Sequence, residues 1–215
     1  SRSSAASDVY KRQPPGTGKT ALGNYLALRL ERQIIFRRYS DLQSMYVGQG
    51  EKNIRDAFIE AEREDAILII DEADSMLFGR DRAVRSYEIT FTNEFLTQME
   101  VFKGILICTT NRLNDLDPAA LRRFTFKVGF DYLTPNGNLI FYSKLVQPML
   151  KKQLTDADRD CIRYIKCLAP GDFKTVRKRF AYYDENELNH KMMIKQLQIE
   201  SAIKFADKKN QRIGF

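Results

Sequence analysis

Two short segments constrain the fold of this chain more than any other part of it. Residues 14–20 read Pro-Pro-Gly-Thr-Gly-Lys-Thr, and residues 67–72 read Ile-Leu-Ile-Ile-Asp-Glu, an apolar strand that ends on two carboxylates. The first segment matches the phosphate-binding loop GxxxxGK[ST], except that Gln13 stands where its first glycine belongs. A Gly-rich turn before a surface helix is the alternative. The combination with an acidic strand end favours a fold built around a nucleoside triphosphate and Mg²⁺.

The loop has the residue types that phosphate binding requires. Gly16 and Gly18 permit backbone conformations closed to residues with a Cβ, so successive N–H groups can point at the phosphates. The dipole of the helix that follows faces the same anion. Lys19 would reach the β- and γ-phosphates, and the Thr20 hydroxyl would bind Mg²⁺. The expected nucleotide contacts in this segment are Pro15, Gly16, Thr17, Gly18, Lys19, Thr20 and Ala21.

The residues before the loop do not resemble the strand that should lead into it. Such a loop follows a central parallel strand, which is buried and apolar. Residues 1–13 instead read SRSSAASDVYKRQ, which is polar and Ser-rich. We expect residues 1–12 to be translated linker sequence joined to a truncated gene. A degenerate native first strand is the alternative, and a genomic locus encoding the segment in frame would support it.

The composition limits the class of protein. The 215 residues can hold one α/β domain and a small helical one, and no apolar run approaches the length of a membrane span. Cys108, Cys161 and Cys167 form no CxxC pair, so we expect reduced thiols in a cytoplasmic protein. The only histidine, His190, lies in a polar helical stretch and is expected at the surface, and one histidine excludes an HExxH zinc site. The net charge of +7 is compatible with nucleic acid or another polyanionic ligand.

Alternation of strands and helices predicts an α/β fold, a P-loop NTPase with a three-layer parallel sheet. Strands are expected at residues 33–38, 66–70, 104–109 and 124–130. Helices are expected at residues 18–31, 51–64, 87–100, 136–152, 155–167, 171–182 and 185–206, with a short one after Asp117. Since the strands cease after residue 134, the predicted organisation is an N-terminal segment (1–13), an α/β core (14–133) and an all-helical domain (134–215).

The strand ends supply the candidate catalytic groups. Asp71 would hold Mg²⁺ through water, and Glu72, pointing elsewhere, would polarise the attacking water. A solvated turn explains most isolated Asp-Glu pairs, but this pair follows four apolar residues and a phosphate loop. Asn111 ends the next strand, where an amide can orient water against the γ-phosphate; an Asn capping a turn is the alternative.

Residues 14–133 resemble the ATPase core of AAA+ proteins, in particular the AAA clade that includes katanin, spastin and the membrane-anchored AAA proteases. Residues 14–20 match Walker A, residues 67–74 (ILIIDEAD) match Walker B, and residues 108–124 (CTTNRLNDLDPAALRRF) match the second region of homology, with Asn111 at the sensor 1 position. The motifs stand in the expected order over more than half of the chain. The resemblance implies a hexameric ring that hydrolyses ATP between subunits.

The resemblance also implies a substrate-binding loop in the central pore of the ring. The clade carries an aromatic-hydrophobic-Gly motif after its second strand, and Tyr46, Val47 and Gly48 occupy that place. The Tyr46 ring would grip a polypeptide without sequence preference. Packing of Tyr46 under the following helix is the alternative. Ring ATPases that act on DNA need basic pore loops, so this motif favours polypeptide.

The family pattern places an arginine finger, which completes a neighbouring subunit's site, at Arg122 or Arg123, and we expect Arg123. The second finger expected about three residues on is absent, since Phe126 stands there. Either arginine could instead form a salt bridge within its own subunit. In the helical part, Gly171 matches the glycine that packs near the base, and Arg177 is either a sensor 2 residue or part of a solvated helix face.

The predicted function is ATP hydrolysis, with ATP and Mg²⁺ as ligands, coupled to remodelling, unfolding or threading of a protein. The expected partners are further copies of the chain, a polypeptide substrate, and an adaptor or protease carried elsewhere. A motor or loader acting on nucleic acid is the alternative, as is a nucleotide-binding scaffold that does not hydrolyse.

Overall fold

The computed structural model describes residues 16–77, 86–112 and 116–210, and the side chains of 16–77, 89–112 and 116–204. The expectations for residues 1–13 and Pro15 lie outside these ranges. The strands are β1 (Ile34–Arg38), β2 (Ile67–Asp71) and β3 (Ile105–Cys108). The helices are α1 (Lys19–Leu30), α2 (Tyr39–Leu42), α3 (Gln49–Arg63), α4 (Ser86–Val101), α5 (Pro118–Leu121), α6 (Pro135–Leu145), α7 (Asp156–Tyr164), α8 (Pro170–Arg179) and α9 (His190–Asn210). They form two compact units, Lys19–Gly129 and residues 130–210 with residues 16–18.

The first unit contains a parallel sheet in the order β1-β2-β3, which confirms the predicted α/β class. Ile69 of β2 lies between Phe36 of β1 and Ile107 of β3 in register. The central strand is an unbroken apolar run because both of its faces are covered: its first four residues are fully buried. Because parallel strands share an edge at their carboxyl ends, β2 and β3 deliver their following residues to the same place.

Helices cover both faces of this sheet. On one face α1 packs close, since a Cβ at Gly23 would lie only 2.5 Å from Ile69 Cδ1. On the other face, Phe58 of α3 lies 5.7 Å from Phe95 of α4 and 5.1 Å from Phe102, the residue after α4, centroid to centroid. These rings belong to the buried core that covers this face of the sheet.

The strand predicted at residues 124–130 is wrong. The segment has extended, irregular backbone, and its alternating side chains Phe126 and Val128 are exposed by 84% and 58%. A strand exists only through a ladder with a neighbour, and within the described ranges the sheet consists of β1, β2 and β3 alone. Residues 124–130 therefore have the apolar alternation of a strand but no neighbouring strand, among the described residues, with which to pair.

The second unit is helical and has its own core, centred on Tyr142, Ile162 and Phe173. The predicted helix 136–152 is wrong in its second half: α6 ends at Leu145, and a 3₁₀ turn over Gln147–Met149 follows. Pro148 causes the break, since it donates no backbone hydrogen bond and its ring clashes within a helix. The last helix begins at His190 rather than at residue 185 because Asn189 caps it, its side chain accepting from Met192 N–H at 3.0 Å.

His190 is buried, with 6% of its surface exposed, so its predicted surface position is wrong. Its Nδ1 lies 2.9 Å from the Tyr142 hydroxyl and its Nε2 lies 2.8 Å from the Lys152 carbonyl oxygen. A carbonyl only accepts, so Nε2 carries a proton. The histidine shares a helix face with Met193 and Leu197, three and seven residues on, and that spacing predicts a core position.

The N-terminus of α7 gives a stability prediction. Thr155 Oγ1 accepts from Asp158 N–H at 3.2 Å, and Asp158 Oδ2 accepts from the Thr155 hydroxyl at 2.7 Å. We expect Thr155→Ala to lower the free energy of unfolding by about 1 kcal/mol at pH 7, and Thr155→Ser to change it little. The measurement is urea denaturation followed by circular dichroism.

The same cap makes this effect pH-dependent. The hydrogen bond from Thr155 holds the pKa of Asp158 below its ordinary value. A carboxyl with a lowered folded-state pKa stabilises above its ordinary value, ~3.9, and loses this stabilisation as the pH falls through the folded-state value. The difference in unfolding free energy between wild type and Thr155→Ala should therefore be full at pH 6 and smaller at about pH 3. An identical gap at both would show that the Asp158 carboxylate takes no part.

Candidate active site

The phosphate-loop segment has the backbone that its glycines predict. Gly16 and Gly18 have φ values of 72° and 101°, in the left-handed region that favours glycine. The Gly16 carbonyl accepts from Gly171 N–H at 2.9 Å, and a Cβ at Gly171 would lie 3.1 Å from Gly16 Cα. The structure thus brings the predicted Gly171 directly against Gly16 within the second unit. Thr17 is buried, with 7% of its surface exposed.

Lys19 is the first residue of α1, and its surroundings disfavour its charged form. Partial burial lowers the pKa of its ammonium, while the nearby carboxylates of Asp71 and Asp74 act to raise it. Desolvation is the larger effect, so the pKa is lowered on balance. An additional anion at this point would be stabilised, which is the property that a phosphate-binding lysine requires. Thr20 follows half-buried on the same helix, and Ala21 is exposed.

The two carboxylates at the end of β2 differ in environment. Asp71 is half-buried, and its Oδ1 accepts a hydrogen bond from the Thr109 hydroxyl. Glu72 is exposed and has left-handed backbone, φ 59° and ψ 36°, before a 3₁₀ turn over Ala73–Ser75. That turn sends the chain away from the strand direction immediately after Asp71.

Two polar residues at this edge were missed as site residues by the sequence analysis. Thr109, one residue past β3, is only 4% exposed and bonds to Asp71. Asp74 is 8% exposed, and its Oδ1 accepts no hydrogen bond from the described residues. A buried carboxylate oxygen without a donor is costly and indicates a place for a cation or water. Asp74 could have been found from the sequence, because it is the third acidic residue of the Asp-Glu-Ala-Asp segment at the end of the strand.

The predicted sensor and finger residues lie at the surface of the first unit. Asn111 and Arg122 are exposed. Arg123 forms a salt bridge within its own chain, with Nε 2.7 Å from Glu100 Oε1. A salt bridge within the subunit is the alternative to an arginine finger that the sequence left open. In the second unit, Arg177 is exposed on α8.

The predicted pore-loop residues are fully presented to solvent. Tyr46 and Val47 are exposed by 79% and 104%, as is Met45 beside them by 99%. Gly48, with φ 80°, starts α3 as its N-cap. The alternative in which Tyr46 packs under the following helix is therefore wrong. Behind the loop lies an open cleft of about 780 Å³, lined in part by Tyr39 and Phe91.

The oxygen donors near Lys19 are the type that Mg²⁺ prefers. Magnesium uses one or two carboxylates together with substrate phosphates and waters rather than a full cage of side chains. Asp71, the Thr20 hydroxyl and the unpaired Asp74 oxygen fit that requirement. In the part of the chain that the structure describes, no group of three or more His, Cys, Asp or Glu residues forms a metal cluster. No described helix is long and apolar enough to cross a membrane.

Comparisons with curated proteins identify relatives over most of this chain. Spastin of Drosophila persimilis is 31% identical over 188 residues, which cover 82% of this chain and 23% of that protein. Spastin of Ixodes scapularis is 33% identical over 187 residues, covering 82% of this chain and 28% of that protein. The chain thus spans about a quarter of the length of these relatives. The likeness supports a place in the katanin- and spastin-like clade.

Solved structures and a family model extend the comparison. The FIGL-1 AAA domain in complex with ADP is 24% identical, with a TM-score of 0.63, covering 88% of this chain and 68% of that one. Another structure of the FIGL-1 AAA domain gives a TM-score of 0.65 at 23% identity, over 89% of this chain and 68% of that one. At this identity they show a shared fold. The model of the ATPase family associated with various cellular activities matches residues 13–132, more than half of the chain. The chain therefore belongs to the AAA family of ATPases.

Proposed function

We propose that this chain hydrolyses ATP with Mg²⁺ and uses the energy to remodel, unfold or thread a polypeptide. The observation that carries the ATPase proposal is the group of Lys19, Asp71 and Asp74, where a partly desolvated cation faces two carboxylates at a strand end. Family membership and the FIGL-1 domain in complex with ADP support the same nucleotide chemistry.

Each residue of the group has a distinct role in this proposal. Lys19 and the N–H groups of the loop bind the phosphates, which replaces the solvation that burial removes from the ammonium. Thr20 and Asp71 would hold Mg²⁺, which when bound neutralises charge on the β- and γ-phosphates. Glu72, exposed beyond the strand end, accepts a proton from the attacking water, and Asn111 orients that water. Catalysis here consists of positioning and electrostatic stabilisation.

The proposal includes a ring, expected to be hexameric, in which a neighbour's arginine completes each site. Arg123 is the proposed finger. Its bridge to Glu100 joins side chains exposed by 34% and 57%, and such pairs contribute only about 0–1 kcal/mol, so a neighbour's phosphate can replace the glutamate. Arg122 stands beside it, exposed, and would support the same charge. Phosphoryl transfer gains most from such an arginine.

Polypeptide is the proposed substrate because of the chemistry of residues 44–48. The segment is uncharged, and Met45, Tyr46 and Val47 place apolar groups in solvent next to the cleft that contains Tyr39 and Phe91. Exposed apolar clusters mark sites that contact protein. A nucleic-acid motor remains the second candidate, since the net charge of +7 favours a polyanion. An adaptor or a separate protease would supply substrate choice or cleavage.

The test substitutes the pore-loop tyrosine and measures stimulated turnover. We expect Tyr46→Ala to reduce stimulation of the ATPase by an unfolded polypeptide at least tenfold, and Tyr46→Phe to retain it, because the flat ring supplies the grip. Basal turnover should be unchanged. The matched control is Tyr182→Ala, which removes a tyrosine that is 98% exposed on the other unit. Loss of stimulation only with single-stranded DNA would favour the nucleic-acid candidate.

A further inference from the structure

Thr109 makes three hydrogen bonds to residues 70–73, which include the last two residues of β2 and the two that follow it. Its N–H donates to the Ile70 carbonyl at 2.9 Å, and its carbonyl accepts from Ala73 N–H at 3.0 Å. Its hydroxyl donates to Asp71 Oδ1. The two backbone bonds flank Asp71, so the hydroxyl is held in place on both sides of the carboxylate that it contacts. With 4% of the residue exposed, water does not compete for this hydroxyl.

The hydroxyl determines which way the Asp71 carboxylate faces. The bond from Thr109 engages Oδ1 and leaves Oδ2 available. A metal ligand that is fixed by a second side chain binds its ion more tightly, because less side-chain freedom is lost on binding. The hydrogen bond from Thr109 to Asp71 is therefore expected to affect the affinity for Mg²⁺.

We propose that Thr109 is a positioning residue for Mg²⁺: its hydroxyl holds the Asp71 carboxylate in the orientation that binds the metal. The proposal rests on the proposed function, because it assumes that Asp71 serves Mg²⁺ at a nucleotide site. It goes beyond it by assigning a role to Thr109, which acts through Asp71.

Isosteric substitution separates the hydroxyl from the rest of the residue. Thr109→Val removes only the donor, and Thr109→Ser keeps it, while both retain the backbone bonds to Ile70 and Ala73. We expect Thr109→Val to raise the Mg²⁺ concentration for half-maximal ATPase activity about tenfold or more. The affinity for ADP in EDTA, measured by fluorescence of a labelled nucleotide, should stay within about twofold, because it depends on Lys19 and the loop. Thr109→Ser should restore the wild-type Mg²⁺ requirement.

The outcomes separate this proposal from the function on which it rests. An unchanged Mg²⁺ requirement in Thr109→Val, in an enzyme that turns over, overturns the positioning role alone. If Thr109→Val loses ADP affinity equally in EDTA and in Mg²⁺, the positioning role is also overturned, because a structural defect would lower the affinity under both conditions. Wild-type protein that binds no nucleotide overturns both proposals. A urea denaturation curve for each variant confirms that the folded state is measured.

Discussion

Arg123→Ala is expected to slow ATP turnover by about 10³- to 10⁵-fold while leaving nucleotide affinity within a few-fold of wild type. The reason is that the guanidinium would act on the transition-state charge of a neighbour's phosphates and not on the nucleotide of its own subunit. Arg122→Ala should have a smaller effect, because the exposed Arg122 would support the charge rather than contact it. The measurement is steady-state phosphate release at saturating ATP, with affinity measured separately.

The bridge between Arg123 and Glu100 offers the matched control for this prediction. Glu100→Gln removes the same intrachain salt bridge, Nε to Oε1 at 2.7 Å, but keeps the arginine. We expect turnover at or slightly above the wild-type rate, since an exposed pair contributes little to stability and its removal frees the finger. If Glu100→Gln loses activity as deeply as Arg123→Ala, the arginine serves the structure of its own subunit and the finger assignment fails.

Glu72→Gln is expected to lower turnover by about 10²- to 10⁴-fold, the usual contribution of a general base. ATP should still bind, because Lys19 and Asp71 are untouched, so the variant should accumulate bound ATP rather than ADP. The amide keeps the size and the left-handed backbone of Glu72 but accepts no proton at neutral pH. Single-turnover hydrolysis with quantified bound nucleotide measures the loss.

A second glutamate provides a control: it tests whether replacing any exposed glutamate with left-handed backbone is enough to lower turnover. Glu31 is also exposed and left-handed, with φ 54°, at the end of α1. Glu31→Gln should leave turnover unchanged. A Glu72→Gln enzyme with near-normal turnover would mean that another group activates water.

Local pattern predicted much of the fold but not all of it. The apolar run of β2 and the helical spacing of α3 carry their own signal, so both were placed to within two residues. Residues 124–130 carried an equally clear alternation, yet they form no strand, because pairing depends on a neighbour that no local pattern describes. Helix α6 was predicted to continue to residue 152 but ends at Leu145, just before Pro148. The prediction followed the apolar spacing across this point and gave too little weight to the proline.

Candidate site residues could be named from the sequence where a single motif has a single chemical role. Lys19 and Asp71 were expected together, since a phosphate loop and the end of a parallel strand share one edge of a sheet, and the structure places their charges within reach. The bond from Thr109 to Asp71 was not predictable, because it depends on the register of β3 against β2. The contact between His190 and the Tyr142 hydroxyl depends likewise on the packing of α9 against α6, although the burial of His190 follows from its helical spacing.

The central claim is that each ATP site is completed by a neighbouring subunit, and mixing two inactive variants tests it most directly. Glu72→Gln supplies intact fingers and Arg123→Ala supplies intact Glu72, so a shared site can form only where the two meet. In an equal mixture assembled at random, about a quarter of the sites should regain function, and turnover should rise to that fraction of wild type. Turnover equal to the mean of the separate variants would contradict the account, since it would place all catalytic groups within one chain.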